Sequence, residues 1–252
     1  FESANTYVTP RRLTLVVDGL PTETPDISEE RRGPKTDAPE KAVQGFLGSV
    51  GLTLDKVEKR ETDKGEFYFV KIEKKGQKTA ELLPSLIEVE LAALPWPKSM
   101  RWANRRERWV RPIQSILCIF GGNVIETKHG QTMANNKTST HRFLTNAVIE
   151  VKDFSDYKKA LETGHVLIDP ADRMAKIKAD AEALAKKAKL SLIDDPALLE
   201  EVAGLVEWPV TLIGTIDDEF MDVPPEVLTT TMRNNQKYFA LEDKKGNLAP
   251  NF

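Results

Sequence analysis

The stretch of residues 57–73, Val-Glu-Lys-Arg-Glu-Thr-Asp-Lys-Gly-Glu-Phe-Tyr-Phe-Val-Lys-Ile-Glu, decides the fold class. Its central Asp63-Lys64-Gly65 is a turn signal between two runs that contain aromatic and β-branched residues. Such residues favour strands, because their side chains pack well on a pleated surface. The stretch therefore predicts a β-hairpin with strands over 57–62 and 66–73.

Helical patterns flank this hairpin, and they do not follow the regular alternation of a βαβ protein. Residues 39–50 begin with a proline that suits a first helical turn. Residues 79–94 and 171–189 carry apolar side chains at helical spacing, and 198–208 predict a further helix. The apolar run 113–120 precedes a glycine pair and favours a strand. We therefore expect an α+β protein with mixed or antiparallel sheets and flanking helices.

Other stretches predict loops and a division of the chain. Residues 21–37 are rich in Pro, Glu, Thr and Arg and indicate an extended loop, and residues 127–140 are polar and rich in turn formers. Residues 210–216 predict a strand. We expect a small strand–helix–hairpin module over 1–75 and a larger α+β domain over 76–252.

Composition excludes several classes of protein. The 252 residues include 36 Lys and Arg against 39 Asp and Glu, a net charge of −3, which excludes a generally basic nucleic-acid coat protein but not a local basic patch. The single cysteine, Cys118, excludes a disulfide framework and a Cys-based zinc site. No apolar run approaches the roughly 20 residues that span a bilayer. With one cysteine and no apparent signal peptide, we expect a protein of the reducing cytoplasm. Because the sequence begins with Phe1, we also expect a piece of a longer protein.

Charge is unevenly distributed along the chain. Residues 98–111 contain six Lys and Arg against one Glu, with tryptophans at 96, 102 and 109, whereas residues 194–226 contain ten acidic residues and no Lys or Arg. Arginine binds phosphate through its planar fork, and tryptophan offers a face for an unpaired base. The alternative is that these arginines pair with the acidic segment or form a solvated loop, while the tryptophans lie in the core. The pattern alone leaves both interpretations open.

Catalytic motifs are missing from the sequence. It contains no phosphate-binding loop, no dinucleotide fingerprint and no Gly-x-Ser-x-Gly elbow, and its histidines form no His-x-x-x-His pair. We therefore predict no catalytic residue and no metal site. The pair His141-Arg142 has three interpretations: a structural histidine, an RNA or ligand contact, or a general base without an evident partner carboxylate.

Several strings, taken together, resemble one family. They are Thr9-Pro10-Arg11-Arg12-Leu13, Lys64-Gly65-Glu66, Leu94-Pro95-Trp96-Pro97-Lys98-Ser99-Met100-Arg101-Trp102, Val110-Arg111-Pro112-Ile113, His141-Arg142-Phe143, the run from Glu200 to Pro209, and Met232-Arg233 with Gln236-Lys237-Tyr238-Phe239. This order resembles the β subunit of the bacterial heterotetrameric glycyl-tRNA synthetase, over essentially the whole chain. The chain departs from the family pattern at Thr140, where glycine is usual, and at Ala240, where proline is usual.

The resemblance implies a fold, a reaction and partners. It implies an N-terminal fragment of the β subunit, similar to the B3/B4 region of the phenylalanyl-tRNA synthetase β subunit. The enzyme would be a cytoplasmic α2β2 heterotetramer that charges tRNA with glycine in an ATP-dependent ligase reaction. The α subunit would use ATP and Mg, so no cofactor is expected in this fragment. The expected partners are the α subunit and the tRNA for glycine, with no membrane.

Three functions follow from the residues and the resemblance together. The first is tRNA binding without catalysis, the second a structural module that scaffolds β or docks α, and the third an editing hydrolase. Editing is the least favoured, because a site closed around glycine rejects larger amino acids sterically. The candidate tRNA-binding residues are Arg101, Trp102, Arg105, Arg106, Arg108, Arg111, His141, Arg142, Arg233 and Lys237.

Overall fold

The computed structural model describes residues 1–104 and 106–252 and contains both helices and strands. The helices are α1 (Glu40–Val50), α2 (Thr79–Ala93), α3 (Phe154–Thr163), α4 (Pro170–Lys187), α5 (Pro196–Ala203) and α6 (Pro225–Thr231). The strands are β1 (Ser3–Thr9), β2 (Arg12–Asp18), β3 (Ile27–Lys35), β4 (Glu58–Thr62), β5 (Gly65–Lys74), β6 (Ile116–Leu117), β7 (Ile119–Phe120), β8 (Asn123–Val124), β9 (Lys128–His129), β10 (Thr132–Asn135), β11 (Lys137–Ser139), β12 (Val148–Glu150), β13 (Ser191–Leu192) and β14 (Leu241–Glu242).

The chain forms two compact units, and their limits differ from the predicted division at residue 75. The inserted unit is Pro21–Pro95, and the main unit combines Phe1–Leu20 with Trp96–Phe252. The first twenty residues belong to the main unit because the hairpin β1–β2 bonds to groups far along the chain. Thr9 Oγ1, for example, donates a hydrogen bond of 2.7 Å to Glu207 Oε1. Sequence spacing gives no sign of this long-range contact.

The inserted unit is built on the antiparallel sheet β3–β5–β4. The predicted hairpin is confirmed: β4 and β5 pair from Glu58 opposite Phe69 to Thr62 opposite Gly65. Gly65 has a φ of 110°, which explains why the turn has glycine there. Alternate side chains of β5, those of Tyr68 and Val70, are buried. The prediction of helices at α1 and α2 is confirmed as well.

Strand β3 corrects the prediction of a loop over 21–37. It pairs with β5 from Ile27 opposite Lys74 to Lys35 opposite Phe67. Its sequence, Ile-Ser-Glu-Glu-Arg-Arg-Gly-Pro-Lys, lacks the alternation of apolar and polar residues that marks a half-buried strand. The backbone hydrogen bonds supplied by β5 therefore decide the conformation of this charged segment.

The main unit has its core where α3 meets the strands around it. The buried side chains of Val151, Tyr157, Leu161, Val166 and Ile168 pack together. Asp153 begins α3 by accepting a hydrogen bond from the Asp156 N–H, as an N-cap residue does. Together these contacts fix the segments on either side of the turn 141–146.

Two buried charged residues join the β1–β2 hairpin to the helical part of the main unit. Arg173 of α4 is 1% exposed, and its guanidinium donates to backbone carbonyls at 2.7 to 3.0 Å, those of Val8, Leu167, Ile168 and Ala203. Glu207 is buried and bonds to Arg12 as well as to Thr9. Burial lowers the pKa of Arg173, and the charges of Asp169 and Glu207 partly offset this effect.

Three further predictions need correction. Residues 127–140 contain the strands β9, β10 and β11, and β10 pairs in parallel with β6. Helix α5 ends at Ala203, well short of the predicted residue 208, and Gly204 is its C-cap residue. Residues 210–216 form no regular strand, and Thr215 makes an isolated bridge to Asn251. Across residues 1–104 and 106–252, no helix is both long and apolar enough to cross a membrane.

Candidate nucleic-acid interface

Residues 98–111, called the basic loop below, are closed at their base by a small backbone bridge. The Met100 N–H donates to the Trp109 carbonyl at 2.8 Å, and the Trp109 N–H returns a bond of 3.2 Å to the Met100 carbonyl. Ala103 lies in the left-handed region with a φ of 50°, as residues in tight turns do. The bridge therefore projects the described residues between Met100 and Trp109, that is 101–104 and 106–108, as a loop.

Two half-buried tryptophans pack together at the base of this loop. Trp96 and Trp109 pack edge to face with ring centroids 4.9 Å apart, and Trp109 lies 5.2 Å from the His129 ring. Trp96 and Trp109 are therefore occupied by packing, as the core interpretation of the sequence expected. Trp102, one of the candidate tRNA-binding residues, is half-buried.

The described arginines of the basic loop, at positions 101, 106, 108 and 111, are exposed to solvent. Arg108 donates to the Ser99 hydroxyl at 2.9 Å, and Arg111 donates to the Val110 carbonyl. Between residues 98 and 111, and setting aside Arg105, which lies outside the described residues, no Lys or Arg forms an ion pair with a carboxylate. The prediction that these arginines pair with the acidic segment is therefore wrong for the described arginines of the loop.

Arg233 and Lys237 behave differently, because each has a carboxylate partner in or beside α5. Arg233 Nε lies 2.6 Å from Asp195 Oδ2, and Lys237 Nζ lies 2.7 Å from Glu201 Oε1. The Arg233 hydrogen bond holds the pKa of Asp195 below its usual range. Both cations are therefore partly neutralised by the acidic segment, and we expect a smaller contribution from them to any phosphate binding.

Asp195 gives a first testable prediction, because it both pairs with Arg233 and accepts the Leu198 N–H as the N-cap of α5. Replacing Asp195 with alanine should lower the free energy of unfolding by about 1 kcal/mol, the usual value of an N-cap. Asp195→Asn is the control, since asparagine caps equally well without a charge. A depressed pKa adds stability above the ordinary aspartate pKa of about 4, and this stability is lost as pH falls. Urea titrations at neutral and acidic pH should therefore separate wild type from Asp195→Asn only at neutral pH.

The pair His141-Arg142 lies in an exposed turn. His141 Nδ1 accepts from the Phe143 and Leu144 N–H groups at 3.3 and 3.2 Å, so this ring atom has a structural task. Arg142 lies over the Phe143 ring at 5.4 Å, and Phe143 is 82% exposed. The structural interpretation of His141 thus gains support, whereas Arg142 remains available to a partner.

Thr140, beside the candidate residue His141, is accommodated by a glycine that is distant in the sequence. The Thr140 side chain is buried against Gly164, at the place that a Cβ of residue 164 would occupy. The His141 N–H then donates to the Gly164 carbonyl at 2.9 Å. The backbones of His141 and Gly164 therefore approach closely in this chain.

The three histidines lie in separate surroundings. His129 packs on Trp109, His141 caps its own turn, and His165 packs edge to face on Trp208 at 5.0 Å. Among residues 1–104 and 106–252, no group of three His, Cys, Asp or Glu is placed to hold a metal ion. Burial raises the pKa of the Cys118 thiol, which keeps it protonated and a poor nucleophile.

Sequence reasoning gave no role to Ser99, Glu107 and His129, which fix the shape of the basic loop. Glu107 lies against Gly130, where a Cβ would come within 2.8 Å of its carboxyl carbon. The single acidic residue of the loop is therefore turned toward the protein. The partner of Ser99 is Arg108 within the loop. The other two contacts join the loop to β9 and the turn after it, since Trp109 packs on His129 and Glu107 lies against Gly130, and no spacing in the sequence marks them.

Comparison with known proteins places the chain in a family of RNA-charging enzyme subunits. The family model described as glycyl-tRNA synthetase beta subunit matches residues 1–252, and the chain belongs to this family. It is 48% identical to the glycine–tRNA ligase beta subunit of Rhodospirillum centenum, over 100% of this chain and 39% of that protein. It is 46% identical to that of a Ruegeria species, over 97% of this chain and 36% of that protein. The chain thus spans well under half the length of these relatives.

Proposed function

We propose that the chain is the tRNA-binding, non-catalytic N-terminal portion of a glycyl-tRNA synthetase β subunit. In this role it supports the ATP-dependent charging of tRNA with glycine by a cytoplasmic α2β2 enzyme whose α subunit uses ATP and Mg. The observation that carries the proposal is the basic loop, whose described cations are exposed and without carboxylate partners. The B3/B4-like fold belongs to the same proposal, with the α+β content in its support.

The physical argument rests on the difference between free and paired cations. A cation that already has a carboxylate partner must give up that partner before it binds phosphate. Arg101 and Arg106 make no side-chain hydrogen bond or ion pair with another described residue, so they have no such cost. Phosphate contacts also release counterions from the RNA, so binding should depend steeply on salt.

Titration with the tRNA for glycine and with a non-cognate tRNA, at low and physiological salt, tests the proposal. We expect both tRNAs to bind at low salt. The logarithm of the binding constant should fall linearly with the logarithm of the salt concentration, with a slope of about 0.9 for each phosphate contact. Fluorescence anisotropy of labelled tRNA gives the slope. Absence of binding at low salt, or binding that does not change with salt, would contradict the proposal.

A second candidate, an interaction module that docks the α subunit or the rest of β, is favoured by exposed apolar residues after α5. Val210 and Leu212 are 70% and 81% exposed, although the chain beyond them is bonded through Gly214 and Phe252. Apolar side chains that lie together on a surface mark protein contacts. Capture of the α subunit by this chain without tRNA, and its loss in Leu212→Ser, would support this role.

A further inference from the structure

The outer face of the sheet in the inserted unit carries two aromatic rings. Phe67 and Phe69 of β5 are half-buried, and they alternate with the buried Tyr68 and Val70. Because successive side chains of a strand point to opposite faces, both phenylalanines lie on the face opposite the buried pair. Paired aromatic residues on an open sheet form a surface on which bases of single-stranded RNA stack.

Basic side chains cover these rings from the neighbouring strands. Arg32 Cζ lies 4.8 Å and Lys35 Nζ 5.8 Å from the centroid of the Phe67 ring, and Arg60 Cζ lies 4.7 Å from that of Phe69. All are within the range in which a cation is attracted to a ring face. The register explains the cluster, since Lys35 and Arg60 lie directly opposite Phe67 on β3 and β4.

The two ends of this face differ in charge. Arg60 is paired with Glu30 at 2.8 Å and with Glu58 at 3.1 Å. Arg32 and Lys35 are exposed and have no carboxylate partner within the described part of the chain. The end at Phe67 therefore combines an aromatic ring, a planar guanidinium and an ammonium with their positive charge uncompensated.

We propose that Phe67, Arg32 and Lys35 form a binding site for an unpaired nucleotide of RNA. The base stacks on the Arg32 plane or on the Phe67 ring beneath it, and the phosphate accepts hydrogen bonds from Arg32 and Lys35. An acidic peptide would also complement the positive charge, but its carboxylates would not stack on the flat aromatic surface. The proposal rests on the proposed function in one respect, that the natural ligand is a tRNA; the site itself lies in the other compact unit from the basic loop.

The test is binding of a labelled single-stranded oligoadenylate of about eight nucleotides to the 252-residue chain. We expect Phe67→Leu, which keeps the apolar volume, to weaken binding about tenfold or more. Phe220→Leu, at an exposed ring in the main unit, is the matched control and should change nothing. Arg32→Gln should weaken binding about tenfold, and Arg60→Gln, at the paired arginine, by less than about twofold.

Folding and the alternative ligand are controlled in the same series. If Phe67→Leu does not fold, as judged by circular dichroism, Arg32→Lys replaces it, because lysine keeps the charge but loses the stacking plane. The proposal is overturned if a glutamate-rich peptide of equal length binds as tightly as the oligonucleotide, or if Arg32→Gln and Arg60→Gln have equal effects. If the chain binds no tRNA at low salt while these results hold, the proposed function alone is overturned, and the site at Phe67 stands.

Discussion

Replacement of Arg173 by methionine should lower the free energy of unfolding by about 3 to 5 kcal/mol, because several backbone carbonyls in the interior would lose their hydrogen-bond donor. Methionine has a similar length but no hydrogen-bond donor. The side chain is 1% exposed, so the backbone carbonyls that now accept its hydrogen bonds would stay buried without that donor. Each buried group left without a partner costs about 1 to 3 kcal/mol.

The position of the acceptors makes this effect large. The Val8 carbonyl belongs to β1, whereas the Ala203 carbonyl belongs to the end of α5. Arg173 thus connects three segments that are distant in the sequence. Its loss should loosen the β1–β2 hairpin as well as the contact between α4 and α5.

Urea unfolding followed by circular dichroism measures the change. Arg31→Met is the control, because Arg31 is exposed and, among the described residues, pairs only with Glu29. The two side chains of this pair are each about half exposed to solvent. Its urea midpoint should remain close to that of wild type. Equal midpoints for Arg173→Met and wild type would show that the buried guanidinium does not hold the hairpin.

The sequence predicted those elements whose own residues specify them. The hairpin β4–β5 has its turn glycine and aromatic strands, and α4 begins at Pro170 after its N-cap Asp169. Strand β3 could not be predicted, since its charged residues gain their conformation from hydrogen bonds to β5. The burial of Arg173 could not be predicted from the sequence either, because the other charged residues of α4 are not buried and nothing in its pattern distinguishes Arg173 from them.

The candidate site shows the same limit. Charge counting found the basic loop, because six cations in a short segment stand out locally. It could not separate cations that have carboxylate partners from those that do not, since Arg233 and Asp195 are distant in sequence. The three-dimensional pairing therefore divides a list of similar residues into two groups with different expected roles.

Neutralising Arg101 and Arg106 together is expected to weaken tRNA binding about 100-fold at physiological salt. A hydrogen bond to a charged group contributes about 1.5 to 3 kcal/mol, and two lost contacts at the lower end of this range, about 3 kcal/mol, correspond to about this factor. The substitutions are Arg101→Gln and Arg106→Gln, which keep polar side chains of moderate length. Because both side chains are exposed and bond to no other described residue, the fold should be unaffected.

The control removes the same number of charges from the paired cations. Arg233→Gln combined with Lys237→Gln gives the same change in net charge, but these residues already have Asp195 and Glu201 as partners. Binding of tRNA should then weaken only a few-fold, since removing the cations also releases two carboxylates. Anisotropy titrations at several salt concentrations should give a slope about 2 units smaller for the loop variant. Equal losses of tRNA affinity in both double variants would mean that net charge, and not the basic loop, determines binding. No loss of affinity in either variant would mean that the RNA binds elsewhere on the chain.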